Sequence, residues 1–310
     1  MWYNERITDG KGRNENGGNR MIAEAAHGKI NMTLHIGEKR RDGYHEIDSL
    51  MHTVDIADEI TLEKQEGLSL RVLEGKVTDG PDNLMFKAAD IFFRTCGLSG
   101  CGAAMTLKKR IPTEAGMGGG SADAAAVLRG LNRLYETRFS LPVLARMGRM
   151  VGADVPFLVS GGAARCRGIG EKLTPLAAWE GLPLLLVKPA VTVSTPEAYR
   201  IADEEKGRIP ERKGDACRAV ETADYALLEG SLFNDFEEVL FPRVPALREV
   251  KESLCRYGAR NLMTGTGSVF FLLFENSAKR KETEAQLRAD HPEWEILEAK
   301  TFDPFAHGGY

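Results

Sequence analysis

Four glycines fall within five residues, followed by a serine and a helical pattern, in the stretch Pro112-Thr113-Glu114-Ala115-Gly116-Met117-Gly118-Gly119-Gly120-Ser121-Ala122-Asp123. Residues of these types in this order suit the holding of phosphate. Glycine lets an anion approach the backbone, and the first N–H groups of a helix are unpaired and carry partial positive charge. Two familiar phosphate loops are excluded by spacing. No lysine lies between Pro112 and Arg129, where a Walker loop would need one, and Ser121 breaks the dinucleotide glycine pattern. A flexible turn before a helix is the plain alternative. Glycine this dense, between a strand and an amphipathic helix, favours the phosphate reading.

A phosphate loop without its own lysine needs a cation and a base from elsewhere. Lys29-Ile30-Asn31 opens an alternating apolar segment that puts Lys29 and Asn31 on one face. Asp154, in Gly152-Ala153-Asp154-Val155-Pro156-Phe157, sits between small residues and an apolar run, so its carboxylate either caps a turn or is held in a site. If Lys29 and Asp154 meet, the pair keeps the carboxylate ionised and aligned to take a proton from a substrate hydroxyl. Arg41-Asp42-Gly43-Tyr44-His45-Glu46 is an Asp-Gly turn carrying a ring that can stack on a base and an imidazole that can hydrogen-bond it. An ordinary hairpin tip is the other reading. Met263-Thr264-Gly265-Thr266-Gly267-Ser268 is either a tight turn into a strand or a second wall around phosphate or substrate. Of the cations Lys108, Lys109 and Arg110 beside the first loop, two are expected to be solvated and one to approach the nucleotide.

The elements that position these groups are readable by periodicity. Strands are expected at 30–36, 51–54, 59–62 and 68–72, and another over 103–111 leading into the loop. Helices are expected at 83–96, 121–135 and 141–151. Strands thus precede helices, which argues an α+β fold. The second half reads as strand 184–187, helical stretches near Tyr199 and at 223–229 and 246–257, strands 261–263 and 269–274, helix 278–290 and strand 294–299. That order suggests a ferredoxin-like layer. The expected organisation is a disordered polar tail at 1–20, one domain at 21–176 and a second at 177–310. The junction lies between Leu173 and Gly181, near Pro175.

Composition excludes some classes. A formal charge of −4 and a pI near 6.0 leave no electrostatic footprint for nucleic acid or an anionic membrane. No apolar run is long enough to span a bilayer as a helix. The cysteines at 96, 101, 166, 217 and 255 form no CxxC pair, so neither a disulfide framework nor a zinc site is suggested, and a reducing cytoplasm is the simplest setting.

Taken together, the segments resemble the GHMP kinases (galactokinase, homoserine kinase, mevalonate kinase and phosphomevalonate kinase). The phosphate loop of that family matches Pro112 to Ala122, and its last glycine-rich turn matches Met263 to Gly267. Within the family, Gly28 to Asn31, Arg41 to Glu46, the Gly-Gly-Gly-Ser loop, Gly152 to Pro156 and Asn234-Asp235-Phe236-Glu237 resemble members that phosphorylate a cytidine-diphosphate-linked methylerythritol in the non-mevalonate isoprenoid route. The resemblance implies a two-domain GHMP fold, its first half of the ribosomal protein S5 domain 2 type and its second ferredoxin-like. It implies ATP with its phosphates on residues 112–122, Mg2+ at a site no spacing marks, and a small-molecule partner acting on a monomer or weak homodimer. Asp154 is then the base for the 2-hydroxyl, Lys29 its orienting cation, and Asn31 a contact to the acceptor end. Tyr44 stacks on cytosine, His45 reads its edge, Tyr199 closes the other face, and Gly265 and Gly267 belong to the second wall. Asn83 and Lys109 match positions near adenosine. Gly28, where Ala is usual, and Ala122, where a second Ser is common, depart from the pattern without removing a catalytic atom. Other acceptors (mevalonate, homoserine, a sugar) and a non-catalytic ligand sensor are the competing readings, and the Asp-Gly-Tyr-His segment speaks against a small polyol.

Overall fold

Alternating apolar residues build two long antiparallel strands, β1 (Met21–Lys39) and β2 (His45–Gln65), joined by the turn at Gly43. Both outrun the lengths expected from periodicity. Register shifts between His27 and Lys29, Asn31 and Thr33, and Ile36 and Lys39 interrupt the alternation without ending the pairing. Such bulges bend a strand and re-aim its side chains. Lys29 and Asn31 lie between two of them, in the middle of β1 rather than at its start. The structure, a computed structural model, describes residues 20–205 and 215–306, so residues 1–19 of the expected tail lie outside the described residues.

The free edge of β2 is shared between two partners. β4 (Gly102–Lys108) pairs along 59–65 and β5 (Ala163–Gly168) along 47–52. β3 (Leu68–Glu74) adds in parallel to β4, and β6 (Lys172–Leu176) pairs with β5. Four helices accompany this sheet: α1 (Leu84–Cys96), α2 (Gly119–Leu134), α3 (Leu141–Val151) and α4 (Val155–Ser160). α2 is buried on nearly every side, because Ala122 and Ala124 to Ala126 keep it thin enough to lie between the sheet and its neighbours. At Gly130 a Cβ would stand 2.1 Å from Leu62 Cδ1, so glycine sets the approach of α2 to β2.

The second sheet has the order β11-β7-β10-β9, all antiparallel: β7 (Pro183–Lys188), β9 (Arg260–Met263), β10 (Phe270–Leu273) and β11 (Glu295–Lys300). With α10 (Ser277–Asp290) between β10 and β11, this is the expected ferredoxin-like layer. Between β7 and β9 run α5 (Thr195–Glu204), α6 (Ala216–Glu221), α7 (Tyr225–Ser231), α8 (Asp235–Leu240) and α9 (Pro245–Cys255). A two-residue strand, β8 (Phe233–Asn234), crosses back to pair in parallel with β1 at Thr33 and Leu34. Leu34 and Ile36 in turn enter the apolar core of the second layer, beside Phe236 and Met263. The elements that escaped sequence reading, α4, α6, α8, β5, β6 and β8, are each six residues or fewer. That is too short for a period of 3.6 or 2 to declare itself.

Candidate active site

The glycine loop leads into α2 two residues earlier than expected. Gly116 and Gly118 both have φ of +70°, and Gly118 precedes the first helical residue, Gly119. The first helical hydrogen bond runs from Ala122 N–H to Gly118 O at 2.8 Å, and no side chain caps this end. The N–H groups of Gly119, Gly120 and Ser121 therefore precede the helical ladder and are placed to receive an anion. Residues 112–121 line a cavity of about 890 Å³. Ala122 is a correction: it lies on a buried side of α2, in the core, and does not reach the cavity wall.

Two strands grip this loop from opposite sides. Lys29 N–H donates to Met117 O at 3.0 Å, and Lys29 Nζ donates to Gly116 O at 2.7 Å and Asn31 Oδ1 at 2.6 Å. Asn31 Nδ2 donates to Ser49 Oγ at 2.8 Å. From the other side, Thr264 Oγ1 accepts from Asn31 N–H at 3.0 Å and lies 3.3 Å from Gly116 O. A Cβ on Gly116 would stand 2.0 Å from Thr264 O, so the two glycine turns touch backbone to backbone. Gly265 and Thr266 reach the cavity wall. Gly267 does not, and a Cβ there would meet Met263 Sδ at 2.7 Å. Asn234 holds the turn from behind, donating to Met263 O at 2.7 Å and Gly265 O at 2.8 Å while accepting from Phe236 N–H. Thr264 and Asn234 stand in the sequence only as members of motifs with no role of their own, because their partners lie far away along the chain.

Asp154 stands at the N-terminal flank of α4, yet its carboxylate makes no capping bond. It lies instead 3.8 Å from Lys29 Nζ, with 28% of its side chain exposed toward the cavity it lines. Burial pushes the Lys29 ammonium below the ordinary lysine range, and the Asp154 charge opposes that fall. Of the two roles open to this acid in the sequence, capping or site, the first has no hydrogen bond to show for it.

The ring residues border the same cavity. Tyr44, in the hairpin turn, is 59% exposed, whereas His45 is buried and stacked on Tyr199 with centroids 5.0 Å apart and planes 18° apart. Tyr199 meets Phe236 edge-on at 5.0 Å. Burial, reinforced by the charge of Asp154, raises the Tyr199 phenol to about 12, which keeps it a neutral donor and places the acid in its neighbourhood. His45 Nε2 lies 2.9 Å from Asp203 Oδ1, and Lys39 pairs with the other oxygen of that carboxylate. Asp203 follows Tyr199 by four residues on α5. That spacing was available in the sequence, but its partner His45 was not.

Of the cations beside the loop, Arg110 is exposed and Lys108 half-buried, both paired with Glu59, while the Lys109 ammonium is buried between Asp58 and Asp123, 2.9 Å from the latter. Asp123 lies in the second turn of α2, and burial pushes its carboxyl up against the pull of Lys109. Asn83 borders the cavity, but its side chain caps α1, accepting from Met85 N–H at 3.0 Å. Among the described residues no three His, Cys, Asp or Glu side chains converge on a metal position, and no helix is long and apolar enough to cross a membrane. One cavity thus joins an anion cradle, a carboxylate beside a buried ammonium, and aromatic rings. Those parts are what transfer of a phosphoryl group to a hydroxyl requires.

Comparison with known proteins agrees with this chemistry. Sequence models described as "GHMP kinases N terminal domain" and "GHMP kinases C terminal" match residues 83–162 and 217–293. The chain is 37% identical over 256 residues to the 4-diphosphocytidyl-2-C-methyl-D-erythritol kinase of Alkaliphilus metalliredigens, covering 82% of this chain and 88% of that one. It is 38% identical over 290 residues to the kinase of the same name from Pelotomaculum thermopropionicum, covering 92% and 99%. A crystal structure of 4-(cytidine 5'-diphospho)-2C-methyl-D-erythritol kinase superposes with a TM-score of 0.75 at 33% identity, over 90% of this chain and 98% of the other.

Proposed function

Because this chain belongs to the GHMP kinases, we propose that it transfers the γ-phosphoryl group of ATP to the 2-hydroxyl of 4-diphosphocytidyl-2-C-methyl-D-erythritol, in the non-mevalonate route to isoprenoid precursors. The observation that carries the reading is the Lys29–Asp154 pair, 3.8 Å apart, in one cavity with the glycine loop and with Tyr44, His45 and Tyr199.

The cradle fits a triphosphate: two glycines at positive φ, an uncapped helix start, and a wall of backbone rather than side chains. ATP supplies the transferable group, and Mg2+ bound with it neutralises phosphate charge. Because Mg2+ is usually held by phosphate and water oxygens with few carboxylates, no protein ligand is assigned to it. Residues 112–121 hold the phosphates, through the N–H groups of the residues after Pro112, with Asn83 and Lys109 bordering the adenosine side. Asp154 accepts the hydroxyl proton. Lys29 orients that carboxylate and, fixed by Asn31 and Gly116 O, offsets negative charge as the phosphoryl group moves. Asn31 contacts the acceptor end with its remaining amide hydrogen. Tyr44 and Tyr199 flank the cytosine and His45 reads its edge. Gly265, with Thr266, forms the second wall, and Gly267 shapes it from behind.

We assign the nucleotide-binding half to 21–176 and the second half to 177–310, the chain acting in the cytoplasm as a monomer or weak homodimer. Its free cysteines fit a reducing compartment. A coupled ADP-release assay tests the acceptor, with the cytidyl compound set against mevalonate and homoserine. Turnover confined to the cytidyl compound is expected. Turnover only with another acceptor refutes the assignment.

A further inference from the structure

We propose that Asp203 is a positioning residue that fixes the tautomer of His45 and thereby makes the enzyme choose cytosine over uracil. The inference rests on the cytidyl reading above and adds to it the residue that sets the hydrogen-bonding sign of the base-reading group.

The argument begins with what a carboxylate can do. An ionised carboxylate only accepts hydrogen bonds, so a His45 Nε2 lying 2.9 Å from Asp203 Oδ1 must carry the hydrogen. Lys39 Nζ sits 2.5 Å from the other oxygen, Oδ2, and already balances the negative charge. Asp203 therefore asks of His45 a donor at Nε2. In the imidazole that results, Nδ1 holds a lone pair and is an acceptor. No other hydrogen bond is made by the His45 side chain within the described residues, and His45 borders the cavity. The ring cannot easily turn to offer its other edge, because it is buried and stacked on Tyr199.

The two candidate bases differ where this matters. Cytosine carries a donor amine at C4, and uracil carries an acceptor carbonyl there. A fixed acceptor on the protein pairs with the amine and opposes the carbonyl. A site built to match one polar group rejects its inverse, since both lone pairs would be desolvated facing each other. Tyr199 and Asp203 are four residues apart on α5 and so share a helix face. One face of α5 thus supplies both the ring that orients His45 and the carboxylate that accepts the hydrogen of its Nε2. Lys39 and His45 come from the two ends of the β1–β2 turn, so the clamp also joins that turn to α5.

Asp203→Asn tests the idea, since an amide is nearly isosteric but accepts or donates equally well and so no longer holds His45 to one tautomer. Steady-state kinetics would be measured with the cytidyl substrate and its uridyl counterpart, for wild type, Asp203→Asn and Asp203→Glu. Loss of a matched hydrogen bond is expected to lower kcat/KM for the cytidyl compound about tenfold or more, through KM and with kcat nearly unchanged, and to narrow the cytidyl-to-uridyl preference by about tenfold. Asp203→Glu should restore part of that preference. A merely structural role would weaken both substrates equally, so an unchanged preference ratio overturns the proposal. Nitrogen-15 NMR of the wild-type imidazole, assigned with His45→Gln, reads the tautomer without substrate, and finding the hydrogen on Nδ1 also overturns it. Wild-type enzyme that turns over the cytidyl compound while the ratio stays fixed defeats this inference alone. Folded wild type with no cytidyl turnover defeats the proposed function and this inference together.

Discussion

Replacing Asp154 by Asn removes a charge and a base while keeping the volume at the start of α4. Two magnitudes follow from the geometry. Two unit charges 3.8 Å apart attract by about 4 kcal/mol at an effective dielectric of about 20. Asp154 keeps part of its hydration, and Lys29 retains its bonds to Asn31 and Gly116 O, so the loss of folding stability is expected to be about 1–3 kcal/mol. The kinetic loss is larger. A positioned general base contributes about 10²- to 10⁴-fold, so kcat should fall by that factor, while KM for ATP stays within about threefold because the loop N–H groups are untouched. The pH profile gives an independent check. Burial pulls the Lys29 pKa down and Asp154 holds it up, so in the variant Lys29 loses its proton at lower pH than in wild type. Since the reaction needs the ammonium, the alkaline fall of the residual activity should move to lower pH. Steady-state kinetics across pH and a thermal melt supply all three readouts. A kcat within threefold of wild type would falsify the role of Asp154. A parallel collapse of kcat, ATP affinity and melting temperature would show that the pair holds the loop rather than performing the chemistry.

Gly116→Ala places a methyl 2.0 Å from Thr264 O at a φ of +70° and should cost roughly 2–4 kcal/mol together with ATP binding; calorimetry with ATP titration checks it, and wild-type values for both would refute the backbone contact. Gly120→Ala is the matched control, because its nearest neighbour is Leu84 Cδ1 at 3.7 Å and its φ is not positive, so stability should rise by about 0.4–1 kcal/mol. For pH, His27 and His52 are lowered to about 4, mainly by burial, against an ordinary value of 6.5. The unfolded chain therefore binds protons that the folded one refuses between those values, so stability is full above about pH 6.5 and falls toward pH 4, by roughly 3 kcal/mol for His52 alone. Denaturant melts from pH 7 to 4 test this, and His52→Gln, if it folds, should flatten the slope.

Much of the site was legible because its residues are local motifs. The glycine loop, the Asp-Gly-Tyr-His turn and the Thr-Gly-Thr-Gly turn each declare a backbone need within a few residues, and the second-layer order followed from strands and helices long enough to show a period. The bulges of β1 and β2 were hidden, since a register shift looks in sequence like the end of a strand. Ala122 was assigned to the loop by its neighbours, and only the packing of α2 turned it inward. Asn83 belongs to the cavity wall, although its side chain is spent on a helix cap.

The sequence by itself determined that a phosphate cradle lacks its own lysine, and that Lys29, Asp154 and an aromatic pair were available to complete it. Residue types and short spacings carry that information, because backbone conformation and side-chain chemistry are local properties. What only the tertiary structure decided is who meets whom. The bulged β1 brings Lys29 to the loop and within 3.8 Å of Asp154, Thr264 ties the two glycine turns, and α5 carries Asp203 to His45. Those meetings join residues more than eighty positions apart, and they depend on strand pairing and helix packing, whose free energy is summed over the whole core rather than written in any one segment.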